Sequence, residues 1–427
     1  MNRPDFNKSH MGTFAVNMQG YGMYERAEIF SDYIAHQHER GLWNYRNVCI
    51  SGCRPEVELD LPDTLRHIKH KTFVATVFND YLGFSQHPAV KAAAIAAIDR
   101  YGVGVTASPA IGGQMDFHRE IEQATARFFR QKSAILFTTG YTANSATMRA
   151  LVNTQDKVIV DRSAHASMFE GILDRTRMAY FEHNNMDSLE RKLKESTAKG
   201  EHRDIMVVID GVYSQPADLA KLDEVVFLCK HYGARLAMDD AHGIGVIGQT
   251  GRGVIEHFNA WQDVDIITGT FSKTLGHLGG YVVASPEMIR YLQFQAGQHI
   301  FSVAPTPASL CVIKSMALLD EEPWWQAKLW ENISYLKKGL HDLGLDTGNS
   351  ASAIVPVMIG SAHLNAQVCR WLLEAGIYAC QIGYPAVNVK GARIRMSLMA
   401  THTLEHLDRI LNAWEWVKTK MNIRNFE

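Results

Sequence analysis

Residues 265–284 read DIITGTFSKTLGHLGGYVVA, and this stretch decides the fold. Its two ends, Asp265–Thr268 and Tyr281–Ala284, are short and largely apolar, with β-branched residues, as is typical of buried strands. The segment between them carries Lys273 and ends in glycines, which let a backbone turn tightly. We therefore expect two strands joined by a tight loop that presents Lys273.

The same strand pattern recurs along the chain, and helical patterns alternate with it. In one helical pattern, Leu222, Val225, Val226 and Cys229 recur at helical spacing, and Gly233 stands where a C-terminal cap would be. Such alternation predicts an α/β fold in which helices cover both faces of a mostly parallel sheet. The strands are expected at Ala134–Phe137, Lys157–Val160, Met206–Ile209, Arg235–Met238, Asp265–Thr268 and Tyr281–Ala284.

The segments at the two ends of the chain follow a different pattern. Residues 1–70 contain one amphipathic helical pattern, Tyr24–Arg40, and are otherwise irregular, so we expect an N-terminal arm. After Pro307 the chain shows several helical patterns and two short strands. We expect a large domain over residues 71–302 and a smaller C-terminal α+β domain over residues 303–427.

Composition limits the class of protein. With 43 Lys and Arg against 45 Asp and Glu the formal charge is −2, which excludes a basic nucleic-acid-binding protein. Hydrophobic residues make up 46% and charged residues 21%, so the chain can bury a large core. Its six cysteines are scattered, so neither a disulfide framework nor a metal site is expected. No apolar run approaches the ~18 residues of a membrane span; we expect a cytoplasmic protein, and contact with a bilayer surface stays open.

Lys273 and the residues before it suit an aldehyde cofactor. Lysine forms a Schiff base with such a cofactor when burial and neighbouring groups lower the pKa of its amine. The hydroxyls of Thr270 and Ser272 suit a phosphate. The alternative is an ordinary surface lysine, but glycine, threonine, phenylalanine and serine are not typical neighbours of a lysine on a solvated face.

The motif DDAHG directly follows the expected strand Arg235–Met238. Ligands of open α/β sheets bind at the carboxyl ends of the strands, so Asp239 and His242 are expected at the mouth of a pocket. A carboxylate there can hold a protonated ring nitrogen, because an ion pair favours the charged form of both groups. A helix N-cap and a metal ligand are the alternative interpretations of this pair.

Two further motifs also follow strands. In TTGYTAN, residues 138–144, the amides and dipole of a helix N-terminus can bind an anion, and the hydroxyls add donors. In DRSAHAS, residues 161–167, His165 could stack on an aromatic cofactor, although a single histidine after a strand is more often structural. Each motif is weak alone; the four together favour pyridoxal phosphate.

In this order, each at a strand end, the motifs resemble those of fold-type I pyridoxal-phosphate enzymes, and more narrowly the α-oxoamine synthase family. The resemblance covers nearly the whole chain and implies a large domain with a mostly parallel seven-stranded sheet and a small C-terminal α+β domain. Two motifs, HIFSVAPTPAS and SLMATHT, resemble bacterial serine palmitoyltransferases most. The other motifs that carry the resemblance are FNDYLGFSQHPAV, FEHNNMDSLERKLK, DGVYSQPADLAKL, DDAHGIGVIGQTGRG, GTFSKTLGHLGGYV and RIRMSLMATHT.

The resemblance implies a role for each motif. Lys273 would bind the aldehyde of the cofactor covalently and act as the base that removes the α-proton of the amino acid. His165 would stack on the pyridine ring, and Asp239 would pair with the ring nitrogen. His242 and Ser214 would lie near the phenolic oxygen. The phosphate would be bound by Gly140, Tyr141, Thr270 and Ser272.

Substrate binding is assigned to other residues. Asn79 and Arg395 match family residues near the carboxylate of the amino acid, and a guanidinium can bind a carboxylate through two parallel hydrogen bonds. Arg393 is left out of the site as a surface charge. Pro109 stands where the family commonly has an arginine, which leaves open whether the donor is an ordinary acyl-CoA.

The expected reaction is a decarboxylative condensation that depends on pyridoxal phosphate. L-Serine and a long-chain acyl thioester, giving 3-ketosphinganine for sphingolipid biosynthesis, are the leading substrates by resemblance. Glycine with a short acyl-CoA, alanine with pimeloyl thioester and cysteate for a sulfonate-bearing lipid are alternatives. A non-catalytic partner subunit and an aminotransferase are rivals of other classes. The resemblance also implies a homodimer, and the donor could be acyl-CoA or an acyl carrier protein.

Overall fold

The computed structural model describes residues 3–16, 18–172, 177–198, 200 and 202–424. Its contacts divide the chain into two compact units. The first, Asn79–Leu329, is called the sheet unit below; the second, which joins Met1–Phe78 to Trp330–Glu427, is called the terminal unit. Within the described residues, no helix is both long and apolar enough to cross a bilayer.

The N-terminal segment of the terminal unit is formed by helices and short strands. The expected helix near Tyr24–Arg40 is present, and it buries Ile29, Tyr33 and Gln37, which recur four residues apart and so share one face. In chain order the elements are α1 (Met11–Val16), α2 (Met23–Glu39), β1 (Val48–Cys49), β2 (Glu56–Val57), β3 (Leu59–Asp60) and β4 (Phe73–Ala75).

The sheet unit alternates strands with helices along the chain. Its strands are β5 (Ser133–Phe137), β6 (Lys157–Asp161), β7 (Met178–Phe181), β8 (Ile205–Asp210), β9 (Arg235–Asp239), β10 (Ile266–Thr270) and β11 (Gly280–Ala284). Its helices are α3 (Pro88–Tyr101), α4 (Asp116–Phe128), α5 (Gly140–Leu151), α6 (Ala166–Glu170), α7 (Met186–Ala198), α8 (Leu222–Tyr232), α9 (Val254–His257), α10 (Pro286–Gln295), α11 (Gly297–Ile300) and α12 (Cys311–Glu321).

These seven described strands form one sheet in the order β5-β11-β10-β9-β8-β6-β7. Strand β11 pairs antiparallel with both of its neighbours, and all other pairs are parallel. The expected mostly parallel, seven-stranded α/β sheet is therefore confirmed. One of its strands, β7, is absent from the strands that the sequence pattern predicted.

The core of the sheet unit explains why its strands are nearly continuous apolar runs. Val158, Val160 and Val208 are fully buried, and they pack in one cluster with residues of α5 and α10. A parallel strand covered on both faces has no solvated side, so its sequence does not alternate. Between β8 and β9, α8 ends at Tyr232, and Gly233 has a φ of 68°, which is the left-handed C-terminal cap expected there.

The C-terminal segment completes the terminal unit. Strands of both segments meet in one sheet: β4 pairs with the C-terminal strand β13 in parallel and with β2 in antiparallel orientation. A second sheet has the order β12-β15-β14. The C-terminal elements are α13 (Trp324–Asp342), β12 (Ile354–Gly360), α14 (Ala362–Glu374), β13 (Ile377–Tyr378), β14 (Cys380–Ile382), β15 (Ala392–Ser397) and α15 (Leu404–Arg424).

The two units differ from the expected domains in two respects. The expected arm, residues 1–70, belongs to the same unit as the C-terminal segment, because β2 of the arm pairs with β4, which in turn pairs with β13. The boundary lies at residue 330 rather than 303. Helix α12 stays with the sheet unit because it packs on α3 and α4, and Ser315 on α12 donates a hydrogen bond to the Leu275 carbonyl at 2.9 Å.

Candidate active site

Residues at the carboxyl ends of five strands line one cavity of the sheet unit. The cavity has a volume of about 230 Å³. Carboxyl ends of neighbouring parallel strands meet at one edge of a sheet, and β5 runs in the same direction as the parallel strands because β11 is antiparallel to both β5 and β10. Its lining residues are Thr139, Gly140, Tyr141, Asn144, His165, Ser167, Asp210, Val212, Asp239, Ala241, His242, Thr270, Ser272, Lys273 and Leu278.

The N-terminus of α5 and the end of β10 form one wall of the cavity. Thr139 caps α5 by accepting a hydrogen bond from the Thr142 amide at 3.0 Å, so the helix begins at Gly140. The first amides of a helix have no partner within it and carry its positive dipole end. The hydroxyls of Thr270 and Ser272 lie 2.8 Å apart beside this helix end. Amides and hydroxyls that converge in this way suit a phosphate.

Asp239 ends β9 and lies at the bottom of the cavity, where it is 7% exposed. Its Oδ2 accepts a hydrogen bond from Asn144 Nδ2 at 2.6 Å, and its Oδ1 accepts one from the Ala241 amide at 2.9 Å. The Ala241 contact forms a local turn, and no helix starts in the described residues directly after β9. The helix N-cap interpretation of Asp239 is therefore wrong.

His165 has the structural role that the sequence left open, and its stacking on a cofactor stays a prediction. It is the N-cap residue of α6, and its Nδ1 lies 2.7 Å from Ser167 Oγ. Its ring also lines the cavity, edge-on to the ring of Tyr141. Because Asn144 donates to Ser167 as well as to Asp239, a chain of hydrogen bonds joins His165 to the carboxylate at the cavity floor.

His242 is 8% exposed and is held by a buried tyrosine. The hydroxyl of Tyr81 lies 2.6 Å from His242 Nδ1 and 3.3 Å from Asn79 Oδ1, to which it donates. Tyr81 itself is fully buried. The contact with Tyr81 thereby orients a histidine ring that lines the cavity. Asn79 is thus connected to the cavity through Tyr81, although it does not line it.

Two aspartates beside Asp239 have strongly perturbed acidities. Burial, and then the charge of Asp239, raise the pKa of Asp210 well above its usual value, and Asp210 Oδ1 accepts a hydrogen bond from the His165 amide at 3.2 Å. Burial raises the pKa of Asp240 to about 8, although its Oδ2 accepts a hydrogen bond from the Val254 amide at 2.7 Å. Strongly perturbed carboxylic acids in a cleft mark candidate functional sites.

Eight of the predicted site residues line the cavity together, and three do not. Ser214 follows Val212, which lines the cavity, and lies in the loop after β8. Asn79 is joined to the site through Tyr81, as described above. Arg395 is on β15 of the terminal unit, is 8% exposed, and donates to Ser397 Oγ at 2.9 Å. The roles proposed for these three residues stay predictions.

The reason for leaving Arg393 out of the site is wrong. Its side chain is only partly exposed, and its Nε donates to the Gly391 carbonyl at 2.8 Å. Side chains of a strand alternate with a period of two, so Arg393 and Arg395 project from the same face of β15. Arg393 is therefore not a solvated surface charge.

Pro109 stands in a short 3-10 turn, Pro109–Ile111, that follows Ser108. Proline is well suited to the first position of such a turn, because its φ is already fixed and its missing amide is not needed there. The turn is closed by a hydrogen bond from the Gly113 amide to the Ser108 carbonyl at 2.8 Å. Replacement of the family arginine therefore fits the local backbone while removing a charge.

Three residues that support the predicted ones were themselves not predicted. Asn144, Ser167 and Tyr81 orient Asp239, His165 and His242 respectively. The first two lie within motifs that the sequence singled out, TTGYTAN and DRSAHAS, so a search of those motifs for buried amides and hydroxyls could have found them. Tyr81 is 161 positions from its partner, and no local pattern connects the two.

Comparison with known proteins agrees with this geometry. The model of the aminotransferase class I and II family matches residues 77–413. An 8-amino-7-oxononanoate synthase from Thermoanaerobacter pseudethanolicus is 41% identical over 347 residues, which are 81% of this chain and 87% of that protein. The solved serine palmitoyltransferase of Sphingomonas wittichii has a TM-score of 0.85 at 30% identity and covers 93% of this chain and 98% of its own. A serine palmitoyltransferase from S. paucimobilis, described with bound pyridoxal phosphate, has a TM-score of 0.86 at 26% identity and covers 94% and 100%.

Proposed function

Because the chain belongs to the aminotransferase class I and II family, and within it to the α-oxoamine synthases, we propose that it condenses an amino acid with an acyl thioester. The α-carbon of the amino acid loses its proton and bonds to the acyl carbon, which releases the thiol. The α-carbon then loses its carboxyl group as CO2 and regains a proton, so the product is an α-amino ketone. The observation that carries the proposal is the single cavity lined by Lys273, Asp239 and the N-terminus of α5.

Pyridoxal phosphate is the cofactor of this family, and the residues of the cavity fit its three functional parts. The α5 terminus with Thr270 and Ser272 offers amides and hydroxyls for the phosphate. Asp239, which is buried and hydrogen-bonded, offers a fixed negative charge for the ring nitrogen. Lys273 offers an amine for the aldehyde. When bound, the cofactor supplies an electron-accepting ring that stabilises negative charge at the α-carbon of the substrate.

The remaining groups of the cavity are proposed to orient the cofactor and the substrate and to transfer protons. His165 lies at the cavity edge, where its ring can cover one face of the cofactor, and Ser167 fixes its orientation. His242, whose ring is held by Tyr81, is proposed to hydrogen-bond the cofactor. We assign to Lys273 the removal and return of the proton at the α-carbon, since its amine lines the cavity that would hold the substrate. Asn79 and Arg395 are proposed to bind the substrate carboxylate.

The sequence comparison favours L-alanine and a pimeloyl thioester as substrates over L-serine and a long-chain acyl thioester. The relative with 41% identity is named for its product, 8-amino-7-oxononanoate. That product has nine carbons, and the condensation derives its amino-bearing end from alanine and its other seven carbons from a pimeloyl thioester. We therefore propose L-alanine and a pimeloyl thioester as the first pair to test. The expected role in sphingolipid formation is not confirmed.

L-Serine with a long-chain acyl thioester is the second candidate. The observation that favours it is the fit of the Sphingomonas wittichii serine palmitoyltransferase, which covers 93% of this chain, whereas the sequence match to the synthase covers 81%. Pro109 leaves the donor open between coenzyme A and an acyl carrier protein, and keeps cysteate among the amino acids to be tested. A homodimer remains part of the proposal.

The decisive experiment is a panel of amino acids and donors with the pyridoxal-phosphate-loaded protein. L-Alanine, L-serine, glycine and L-cysteate are each combined with pimeloyl-CoA, palmitoyl-CoA and the corresponding acyl carrier proteins, and free thiol and CO2 are measured. We expect both products with alanine and a pimeloyl donor, and neither with Lys273→Ala. Formation of a keto acid without thiol or CO2 would identify an aminotransferase instead. A protein that binds no pyridoxal phosphate would be a non-catalytic partner.

A further inference from the structure

A histidine outside the cavity, His183, connects two loops that carry residues of the cavity. His183 follows β7, and its Nδ1 lies 3.0 Å from Asp161 Oδ1 at the end of β6. Its Nε2 lies 3.0 Å from Asp218 Oδ2, in the loop after β8. The ring also packs edge-on against Tyr213 of the same loop, with ring centres 4.4 Å apart. His183 thus contacts two segments that are distant from each other in sequence, the end of β6 and the loop after β8.

The contacts require that the ring of His183 is charged. A carboxylate can only accept, and a neutral imidazole donates from one nitrogen alone, so two carboxylate partners need the doubly protonated form. The neighbourhood supports this charge. Burial lowers the pKa of His183, but the hydrogen bonds to Asp161 and Asp218 outweigh it and raise the pKa to about 9. Beyond these two carboxylates, the hydroxyl of Tyr213 is hydrogen-bonded to Asp161.

The first of the two loops leads from Asp161 to His165. Asp161 is fully buried, and its Oδ1 also accepts a hydrogen bond from the Ser163 amide at 2.8 Å. The Ala164 amide donates to the Asp161 carbonyl at 3.0 Å. The conformation of this loop, and with it the start of α6 at His165, therefore depends on where the Asp161 carboxylate is held.

The second loop, residues 211–220, carries Ser214. It folds back on itself through a bridge between Val212 and Leu219, and the Tyr213 amide donates to the Asp218 carbonyl at 3.0 Å. Asn184, next to His183, donates from Nδ2 to Asp218 Oδ2 at 3.0 Å and to the Leu219 carbonyl at 2.8 Å. The base of the loop is thus attached to residues 183 and 184 and not only to its own strands.

We propose that His183 is a positioning residue, whose charged ring holds the loop of His165 and the loop of Ser214 in register at the cofactor cavity. The inference rests on the proposed function, because it concerns the placement of residues around the cofactor. This role explains why a histidine that is hydrogen-bonded to two carboxylates lies beside a cavity that it does not line. Loss of the ring leaves the buried Asp161 carboxylate without its charged donor, and Asp218 then stays connected to the end of β6 through the hydrogen bonds of Asn184.

The test compares His183→Gln with His341→Gln, both in the full chain loaded with pyridoxal phosphate. His341 is the control, because it is a hydrogen-bonded histidine of the terminal unit, exposed to solvent and 2.9 Å from Thr347 Oγ1. For His183→Gln we expect a weakened visible circular dichroism band of the bound cofactor. We also expect kcat to fall about 10- to 100-fold, the effect of a displacement near 1 Å, while the KM for the amino acid changes much less. His341→Gln should match the unaltered protein.

A second measurement needs neither cofactor nor turnover. Amide hydrogen exchange of residues 211–220 in the cofactor-free protein should be at least about tenfold faster in His183→Gln, since the loop loses an anchor. Asp218→Ala releases the same loop while keeping Asp161 paired, so it should give the same spectral and exchange changes even if His183→Gln fails to fold. Unchanged dichroism and kcat in both variants, or in the one that folds, would overturn the proposal, whatever happens to stability. If the unaltered protein binds no pyridoxal phosphate, the proposed function fails instead.

Discussion

The close contact between Gly140 and Thr270 allows a direct test of the phosphate-binding wall. Gly140 is the first residue of α5, and a Cβ atom on it would lie 2.7 Å from Cβ and 3.1 Å from Oγ1 of Thr270. Carbon atoms in favourable contact lie about 3.5–4.0 Å apart. Gly140→Ala must therefore separate the first turn of α5 from Thr270 by roughly 1 Å.

The size of the effect follows from what this separation breaks. The amides of Gly140 and Tyr141 move away from the hydroxyl of Thr270, so at least one hydrogen bond to the charged phosphate should be lost, which costs about 1.5–3 kcal/mol. At tenfold per 1.4 kcal/mol, the dissociation constant of pyridoxal phosphate should rise about 10- to 150-fold. The overpacking itself should lower the free energy of unfolding by about 1–3 kcal/mol.

The assay is a titration of the cofactor-free protein with pyridoxal phosphate, followed by visible absorption. Gly297→Ala is the control, because Gly297 is also the first residue of a helix, α11, and a Cβ atom there meets only Phe301 at 3.9 Å. The control should bind the cofactor as the unaltered protein does. If Gly140→Ala folds and its dissociation constant stays within about twofold of the unaltered value (~0.4 kcal/mol), the phosphate is not bound at the start of α5.

Two further predictions concern stability. Asn144 is 2% exposed, and Asn144→Leu keeps the branched shape of the side chain while removing its hydrogen bonds to Asp239 and Ser167. Denaturant titration should therefore show a loss of about 1–3 kcal/mol, and an unchanged midpoint would contradict the assigned contacts. The folded pKa of His183, which burial lowers and its two aspartate partners raise to a net value of about 9, exceeds the unfolded pKa of about 6.5. The contribution of His183 to stability should thus be complete below pH 6.5 and disappear as the pH rises through 9. Over this range the difference in unfolding free energy between the unaltered protein and His183→Gln should shrink by roughly 1–3 kcal/mol. A difference that stays constant with pH would refute the charged state of His183.

The fold was predictable because its strongest signals are local. Strands such as β9 and β10 are fully buried apolar runs that end in polar motifs, and a strand end in a parallel sheet fixes which edge those motifs occupy. The short strand β7 carries weaker information. Its four residues, MAYF, are apolar, but none is β-branched and three of them are not buried.

The domain boundaries depend on contacts that no local pattern reports. Strand β4, which was expected in the large domain, pairs with β13 and brings Val74 opposite Ile377. It also pairs with β2 of the expected arm, so both segments belong to the terminal unit. Each strand is short enough that neither predicts the other. The loop of Pro109 shows the same limit at a smaller scale, because sequence identifies the missing arginine but not the 3-10 turn that replaces its surroundings.

Within the site, residues that face a ligand were predicted more readily than residues that support them. Lys273 and Asp239 have chemistry that makes them conspicuous at a strand end. The amide of Asn144 has no such chemistry; its importance arises from a partner 95 positions away. Supporting residues are therefore visible only when the fold brings both members of a pair together.

Asp210 and Asp239 show how the fold can give two neighbouring aspartates different tendencies to ionise. Strands β8 and β9 are in parallel register, which sets the two carboxyl groups side by side at the cavity floor. Two neighbouring carboxylates in a buried site disfavour each other's ionisation, so one of them must yield. Asp239 receives hydrogen bonds from both Asn144 and the Ala241 amide, whereas Asp210 accepts one from the His165 amide, and burial together with the charge of Asp239 raises its pKa well above the usual value. Ionisation of Asp210 is thereby disfavoured, so a cationic ring nitrogen entering the cavity is expected to pair with Asp239, the residue that ends β9.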